Sequence, residues 1–399
     1  MKLYLALPAL NESASLPAFI SSLKGQILSG FELFACVNQP DDGWEDPVKR
    51  KICLNNQQSI RYLQEDHGFP VHCIDRSSGG KGWKGKHFGV GWARKMAMDA
   101  IDRIAENDDL IISMDADTYY PPEYLDSAER LFGRQSDRNG LANPYYHNLT
   151  GDDATDRAIL HYEIYMRNYA INMLLINNPY AFTALGSAIA VPVRAYRKIG
   201  GITPHKSGED FYFLQKLRKS GELITHNDVR VYPSARRSDR VFFGTGPAII
   251  KGTEGKWDSY PIYHHELFGK VAETFRAFGD LYSRDIEVPM TDFLKKTFKS
   301  RTFWQELRKN ASNREVFIKA CITRVDALRI LQFLKIEQKE MDLTDEACLS
   351  ENLDDFARKI GFDIPLKRDF SFSASGISVM DDLRNQLFQL ESMLQHESA

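Results

Sequence analysis

Apolar positions in the first half of the chain form short dense runs, separated by stretches in which they recur every three or four residues. Lys2-Leu3-Tyr4-Leu5-Ala6-Leu7, stopped by Pro8, has the unbroken apolarity of a strand buried on both faces. Phe31–Val37 repeats the pattern and ends at Asn38-Gln39-Pro40-Asp41-Asp42, and Val71–Ile74 is a shorter third strand. Leu16, Phe19, Ile20 and Leu23 have helical spacing, with Ser15 placed to cap and Pro17 suited to a first turn. Val90, Ala93, Ala97, Ile101 and Ile104 predict a second helix. The run Asp109-Leu110-Ile111-Ile112-Ser113-Met114-Asp115-Ala116-Asp117 then reads as a central strand ending in two carboxylates one residue apart. A helix is predicted from about Tyr124 to Phe132, and a small-residue strand over Phe182–Val191. A short helix at Tyr196–Lys198 is closed by Gly200-Gly201, and Gly208-Glu209-Asp210 opens a helix with Phe211, Leu214 and Leu217 on one face.

Alternating strands and helices predict an α/β fold with a mostly parallel sheet covered on both faces. Ligands in such sheets sit outside the carboxyl ends of the strands, where Asn11, Glu12, Asn38, Asp115 and Asp117 fall. Beyond about residue 250 the pattern turns helical. Leu267, Val271, Phe275, Phe278 and Leu281 share a face, apolar residues crowd Val316–Ile336, and Ser350–Ile360 resembles a capped helix. Met380, Leu383, Leu387, Leu390 and Leu394 form a seam too short to hold a dimer, so docking onto the protein's own body is expected. Two domains are expected, 1–250 and an α-helical 251–399.

Composition narrows the setting. The 399 residues are 43% hydrophobic and 26% charged, with a net charge of −3 and no concentrated basic tract, so nucleic acid is not an expected partner. Five scattered cysteines without a Cys-x-x-Cys pair fit a reducing compartment. The apolar start breaks at Pro8 and Asn11, and no apolar segment reaches the ~20 residues of a membrane helix. A cytoplasmic protein without a transmembrane segment is expected, with peripheral membrane contact left open.

Chemistry gathers at the acidic turn. Carboxylates at a strand end hold a hard divalent cation beside phosphate, because oxygen ligands and phosphates together complete its shell. Gly80-Lys81-Gly82-Trp83-Lys84-Gly85-Lys86-His87 nearly spells a phosphate-cradling loop, but His87 replaces the metal-facing hydroxyl and Trp83 is bulky. An ATP- or GTP-hydrolysing protein is therefore the weaker reading. The cationic loop before a helix is either suited to a diphosphate or simply a solvated basic loop. Asp210, at a helix start, is either a cap or a general base. Arg236, Arg237 and Arg240 precede the glycine-hinged Val241–Gly246, which reads either as a lid whose arginines meet a diphosphate or as a solvated basic turn. His264-His265 would supply either a metal ligand or helix packing.

Taken in order, Pro8-Ala9-Leu10-Asn11-Glu12, Gly91-Trp92-Ala93-Arg94, Asp115-Ala116-Asp117, Gly200-Gly201 and Gly208-Glu209-Asp210 resemble the motifs of family 2 glycosyltransferases over roughly residues 1–245. The resemblance implies the GT-A fold, a Rossmann-like sheet flanked by helices, and transfer of a sugar from a UDP- or GDP-sugar. It implies that Pro8, Asn11 and Glu12 lie against the nucleoside and that Arg94 belongs to the donor site. Asp115 would contact ribose or sugar and, with Asp117, the Mn2+ or Mg2+ on the diphosphate. Arg236 and Arg240 would meet the diphosphate, and Asp210 would be the base of an inverting reaction. The acceptor would be a glycan, a lipid-linked glycan or a small molecule. Asn38 stands where relatives carry an acidic uracil reader, which leaves the base open, and the Gln-x-x-Arg-Trp element is replaced by Ser234-Ala235-Arg236-Arg237-Ser238-Asp239-Arg240. A retaining transferase and a non-catalytic sugar-nucleotide or glycan-binding protein are the alternatives.

Overall fold

The computed structural model describes residues 1–85, 87–237 and 244–397. They form two compact units, residues 1–155 with 182–250, and residues 156–181 with 251 to the end of the described chain.

The first unit is mixed α/β. Its strands are β1 (Leu3–Ala9), β2 (Glu32–Asn38), β3 (Val71–Arg76), β4 (Leu110–Ser113), β5 (Thr118–Tyr119), β6 (Gly140–Ala142), β7 (Ile189–Pro192), β8 (Leu223–Ile224) and β9 (Tyr232–Pro233). Seven of them make one sheet in the order β3-β2-β1-β4-β7-β6-β8. Four of the six pairings are parallel, and β7 runs antiparallel to both β4 and β6. The helices of this part are α1 (Leu16–Lys24), α2 (Arg50–Leu63), α3 (Val90–Asp102), α4 (Tyr124–Arg134), α5 (Asp153–Leu175), α6 (Val193–Lys198) and α7 (Glu209–Ser220), with α5 entering the second unit at residue 156.

Burial explains the central strands. Leu5, Leu7, Ile111 and Ile112 are each 0% exposed, and full burial of such a side chain contributes roughly 1.5–3 kcal/mol. Sequence and structure differ at several places. Ser15 does not cap α1 with its hydroxyl; its backbone N–H donates to the Glu12 carbonyl instead, 2.9 Å away. Ile104 lies past the end of α3 and is exposed, while Phe213 rather than Phe211 completes the buried face of α7 with Leu214 and Leu217. Only the end of the Phe182–Val191 run is a strand. Upstream, the Gly186 carbonyl accepts from Ser113 and Arg94 side chains, which satisfy it in place of a ladder partner.

The second unit is helical. Besides α5 and part of α8 (Thr245–Thr253), it contains α9 (His265–Arg276), α10 (Phe278–Leu281), α11 (Thr291–Phe298), α12 (Phe303–Lys309), α13 (Arg314–Arg324), α14 (Ala327–Glu340), α15 (Asp345–Ile360) and α16 (Ile377–Glu397). Thr344 caps α15, accepting from Ala347 N at 3.2 Å, and Gly361 closes it at φ +68°. The α16 seam is buried at Met380, Leu383, Leu387, Leu390 and Leu394. Arg384 on α16 meets Glu163 on α5, and Arg167 on α5 meets Glu391 at 2.6 Å, so a buried charge network joins the two helices. His264 caps α9 through Nδ1, and its Nε2 lies 2.8 Å from Glu351. Among the described residues no helix is long and apolar enough to cross a membrane.

Candidate active site

The chemistry collects where β1 and β4 end. Asp115 and Asp117 leave β4 in a turn closed by Thr118 N on the Asp115 carbonyl at 3.2 Å. The buried Tyr120 fixes this turn: its hydroxyl accepts from Asp115 N at 3.0 Å and donates to the Ser187 carbonyl at 3.1 Å. Both carboxylates keep access to solvent, 32% for Asp115 and 23% for Asp117.

Arg94 is built in beneath them. It sits one turn into α3, after Gly91, where any Cβ would lie 2.3 Å from the His205 carbonyl oxygen. This close approach brings residues 205–210 against α3. The Arg94 guanidinium donates to Asp115 Oδ1 at 3.0 Å, Glu209 Oε1 at 3.1 Å, the Ser113 hydroxyl and the Gly186 carbonyl. Burial works against its charge, but Asp115, Glu209 and Asp210 outweigh burial and hold the proton more firmly than usual. Arg94 is 2% exposed, so its place is under the acidic turn, orienting Asp115, and not on a ligand-facing surface.

Asp210 opens α7 and accepts its neighbour Phe211 N at 2.8 Å. It is half-buried at the start of α7. Burial, then the Glu209 carboxylate, pushes it up to about 7, against the pull of Arg94. Its neighbourhood is the poised kind expected of a general base.

On the other side of the acidic turn, Arg236 meets the buried Glu12 and places Nε 2.8 Å from Asp117 Oδ2. Short antiparallel pairing of β5 with β9 delivers it there, with Ser234 N on the Asp117 carbonyl at 3.1 Å. Burial opposes the charge on Arg236 as well, and Glu12 and Asp117 override it. The five carboxyl groups of Glu12, Asp115, Asp117, Glu209 and Asp210 thus face two guanidiniums, Arg94 and Arg236. That imbalance favours a cation, and an all-oxygen donor set favours a hard one.

The remaining candidates are placed differently. Asn11 is exposed on the rim in a left-handed conformation, φ +58°, with its N–H on Asn56 Oδ1 at 2.8 Å. Pro8 is buried within β1, paired with Cys36. Asn38 is 2% exposed and spends its amide on the Ala9 carbonyl at 3.0 Å and on Trp83 Nε1 at 3.1 Å, which leaves it unsuited to reading a base. Arg237 lies 3.4 Å from Asp152, and Arg240 falls outside the described residues. In the glycine-rich loop, Gly80 and Gly82 donate their N–H groups to Asp41 Oδ1, at 2.9 and 3.2 Å, where a nucleotide phosphate would need them.

Three contributors escaped the sequence. Asn56 sits on α2, a helix the sequence reading did not predict, and its segment carries no motif. Ser113 is a polar side chain, 0% exposed, in an aliphatic strand, a signal available in the pattern itself. Glu209 reads as a helix-start acid until its partner Arg94 is known.

No family model and no curated protein matches the chain. The chain is similar to Staphylococcus aureus TarS 1–349 in complex with UDP-GlcNAc, at 14% identity and a TM-score of 0.42, covering 82% of this chain and 91% of that one. It is also similar to the mannosyltransferase PcManGT from Pyrobaculum calidifontis in complex with GDP-Man and Mn2+, at 12% identity and a TM-score of 0.40, covering 81% and 86%. At such values, function must rest on the chain's own residues.

Proposed function

We propose that the chain is a metal-dependent, inverting glycosyltransferase of GT-A type, related to family 2, moving a sugar from a UDP- or GDP-sugar to a hydroxyl acceptor. One observation carries it: β4 delivers two partly open carboxylates, Asp115 and Asp117, while the Arg94 that orients Asp115 also feels the poised Asp210. The ordered motifs from Pro8 to Asp210 support the same function.

As the bond from the anomeric carbon to the diphosphate oxygen breaks, negative charge grows on the leaving group and the sugar becomes oxocarbenium-like. Asp115 and Asp117 would hold Mn2+ or Mg2+, which offsets the leaving-group charge. Arg94 keeps Asp115 oriented, since its fork is also fixed by Glu209, Ser113 and the Met114 and Gly186 carbonyls. Asp210 takes the acceptor hydroxyl proton, and its value near 7 suits that transfer at neutral pH. Attack from the side opposite the diphosphate inverts the anomeric centre. Arg236, anchored at Glu12 and Asp117, stands where guanidinium and phosphate oxygens would pair.

Thermal-shift measurements with UDP- and GDP-sugars, with and without Mn2+, test the proposal. A sugar nucleotide is expected to stabilise the protein only with Mn2+, and the anomeric proton coupling of the product is expected to show inversion. Stabilisation by ATP or GTP alone, with no response to any sugar nucleotide, would overturn it.

A further inference from the structure

We propose that Tyr119 and Tyr232 form the platform on which a pyranose ring of the acceptor lies, beside the acidic turn; this rests on the glycosyltransferase reading above and deepens it. The observation is a pattern of alternation across a two-strand ribbon. Along β5 and its approach, Thr118 and Tyr120 point inward, at 3% and 0% exposure, while Asp117 and Tyr119 take the outer face. Along β9 and its extension, Val231, Pro233 and Ala235 are buried, and Tyr232, Ser234 and Arg236 alternate with them on the outside. Pairing puts Tyr119 opposite Tyr232, with their ring centroids 6.0 Å apart. The outer face therefore runs from Arg236 and Asp117 directly onto two tyrosine rings.

Tyr119 is 50% exposed, and no other phenylalanine, tyrosine or tryptophan among the described residues is as open. Leaving a large ring in water beside a reacting centre forfeits burial energy that a covering ligand would recover. Tyr232 is held for that use: Arg230 Nε donates to its hydroxyl at 2.9 Å, and the same guanidinium lies 4.8 Å over the ring of Tyr146. Tyr146 reaches this face because Tyr145 bridges to Val231, with Tyr146 N on the Val231 carbonyl at 2.9 Å.

The chemistry of the strip selects its occupant. An alkyl chain needs continuous apolar surface, and here the rings are flanked by Asp117, Ser234, Arg230 and Arg236. A pyranose matches both parts, since its C–H face stacks on an aromatic ring while its edge hydroxyls meet the polar flanks. A ring seated on Tyr119 presents its hydroxyls toward the turn that carries Asp117, which lies two residues away on the same face.

The experiment measures nucleotide release from the preferred sugar nucleotide with Mn2+, alone and with a panel of p-nitrophenyl pyranosides or with octanol. The full-length protein is compared with Tyr119→Ala, Tyr232→Ala and the corresponding phenylalanine variants. At least one pyranoside, and not octanol, should accelerate release. The alanine variants should raise the apparent KM for that pyranoside about tenfold with an unchanged donor KM, and the phenylalanine variants should retain most of the affinity, as stacking requires. Acceleration by octanol alone, or an unchanged pyranoside KM in both alanine variants, overturns the platform while leaving sugar transfer standing. Absence of any sugar-nucleotide binding or turnover in the wild type removes the underlying function, and the platform with it.

Discussion

Arg94 and Glu209, 115 residues apart in the chain, meet inside the first unit with Nε 3.1 Å from Oε1. That contact ties the helix after the glycine-rich loop to α7 at its first residue, next to Asp210, and the other branch of the guanidinium reaches Asp115. A single buried cation thereby sets the relative positions of the two carboxylates assigned to metal binding and proton transfer.

Arg94→Met would strand Glu209 in a buried position without its cation. Removing one partner of a buried pair costs about 3–5 kcal/mol, so urea melts should show a loss of that order. Arg94→Lys should recover part of the stability but little activity, because a point charge cannot address Asp115 and Glu209 together.

Asp117→Ala should leave a folded protein, since the residue is at a partly exposed turn, and should abolish Mn2+-dependent donor binding in calorimetry. Unchanged donor affinity would remove the cation from this turn.

Asp210→Asn should retain donor binding while the transfer rate falls by ~10²–10⁴. It also changes the pH dependence of stability. The folded carboxyl sits near 7 against an ordinary value of 3.8, so the folded protein keeps a proton that the unfolded chain has released. In metal-free wild type this makes stability fall as pH rises between those values. The Tm advantage of Asp210→Asn should therefore grow from about pH 4 to pH 7 and level off above. A gap independent of pH would show that Asp210 is not raised.

Gly91→Ala places a methyl 2.3 Å from the His205 carbonyl oxygen. Forcing the two segments apart should cost about 1–3 kcal/mol in thermal or urea unfolding and should lower activity by displacing Arg94 relative to Glu209.

In the helical unit, Leu387→Ala removes a 0% exposed side chain from the α16 seam. Unfolding should lose about 2–5 kcal/mol, and an undiminished Tm would mean that α16 is not held by this seam.

Strand identity was legible because β1, β2 and β4 are buried on both faces, and such strands must be continuously apolar. For the same reason the acidic pair could be placed at a strand end from its spacing alone. The β5–β9 ribbon was not legible, because two-residue strands carry no periodicity and their partner lies more than a hundred residues away. Asn38 shows the converse: its position at the end of β2 was readable, but the Trp83 that consumes its amide comes from a loop whose docking depends on Asp41.

The order of apolar and polar residues by itself determined the strands β1 to β4, the helical second half and the acidic turn, because backbone periodicity and burial are local demands written into neighbouring residues. Only the tertiary structure decided that Arg94 serves Asp115 and Glu209, that Arg236 meets Glu12 and Asp117, and that Tyr119 lies opposite Tyr232. Those choices depend on which distant groups share a buried volume or a strand register. Charge compensation and pairing are settled between segments, and no single segment contains both sides.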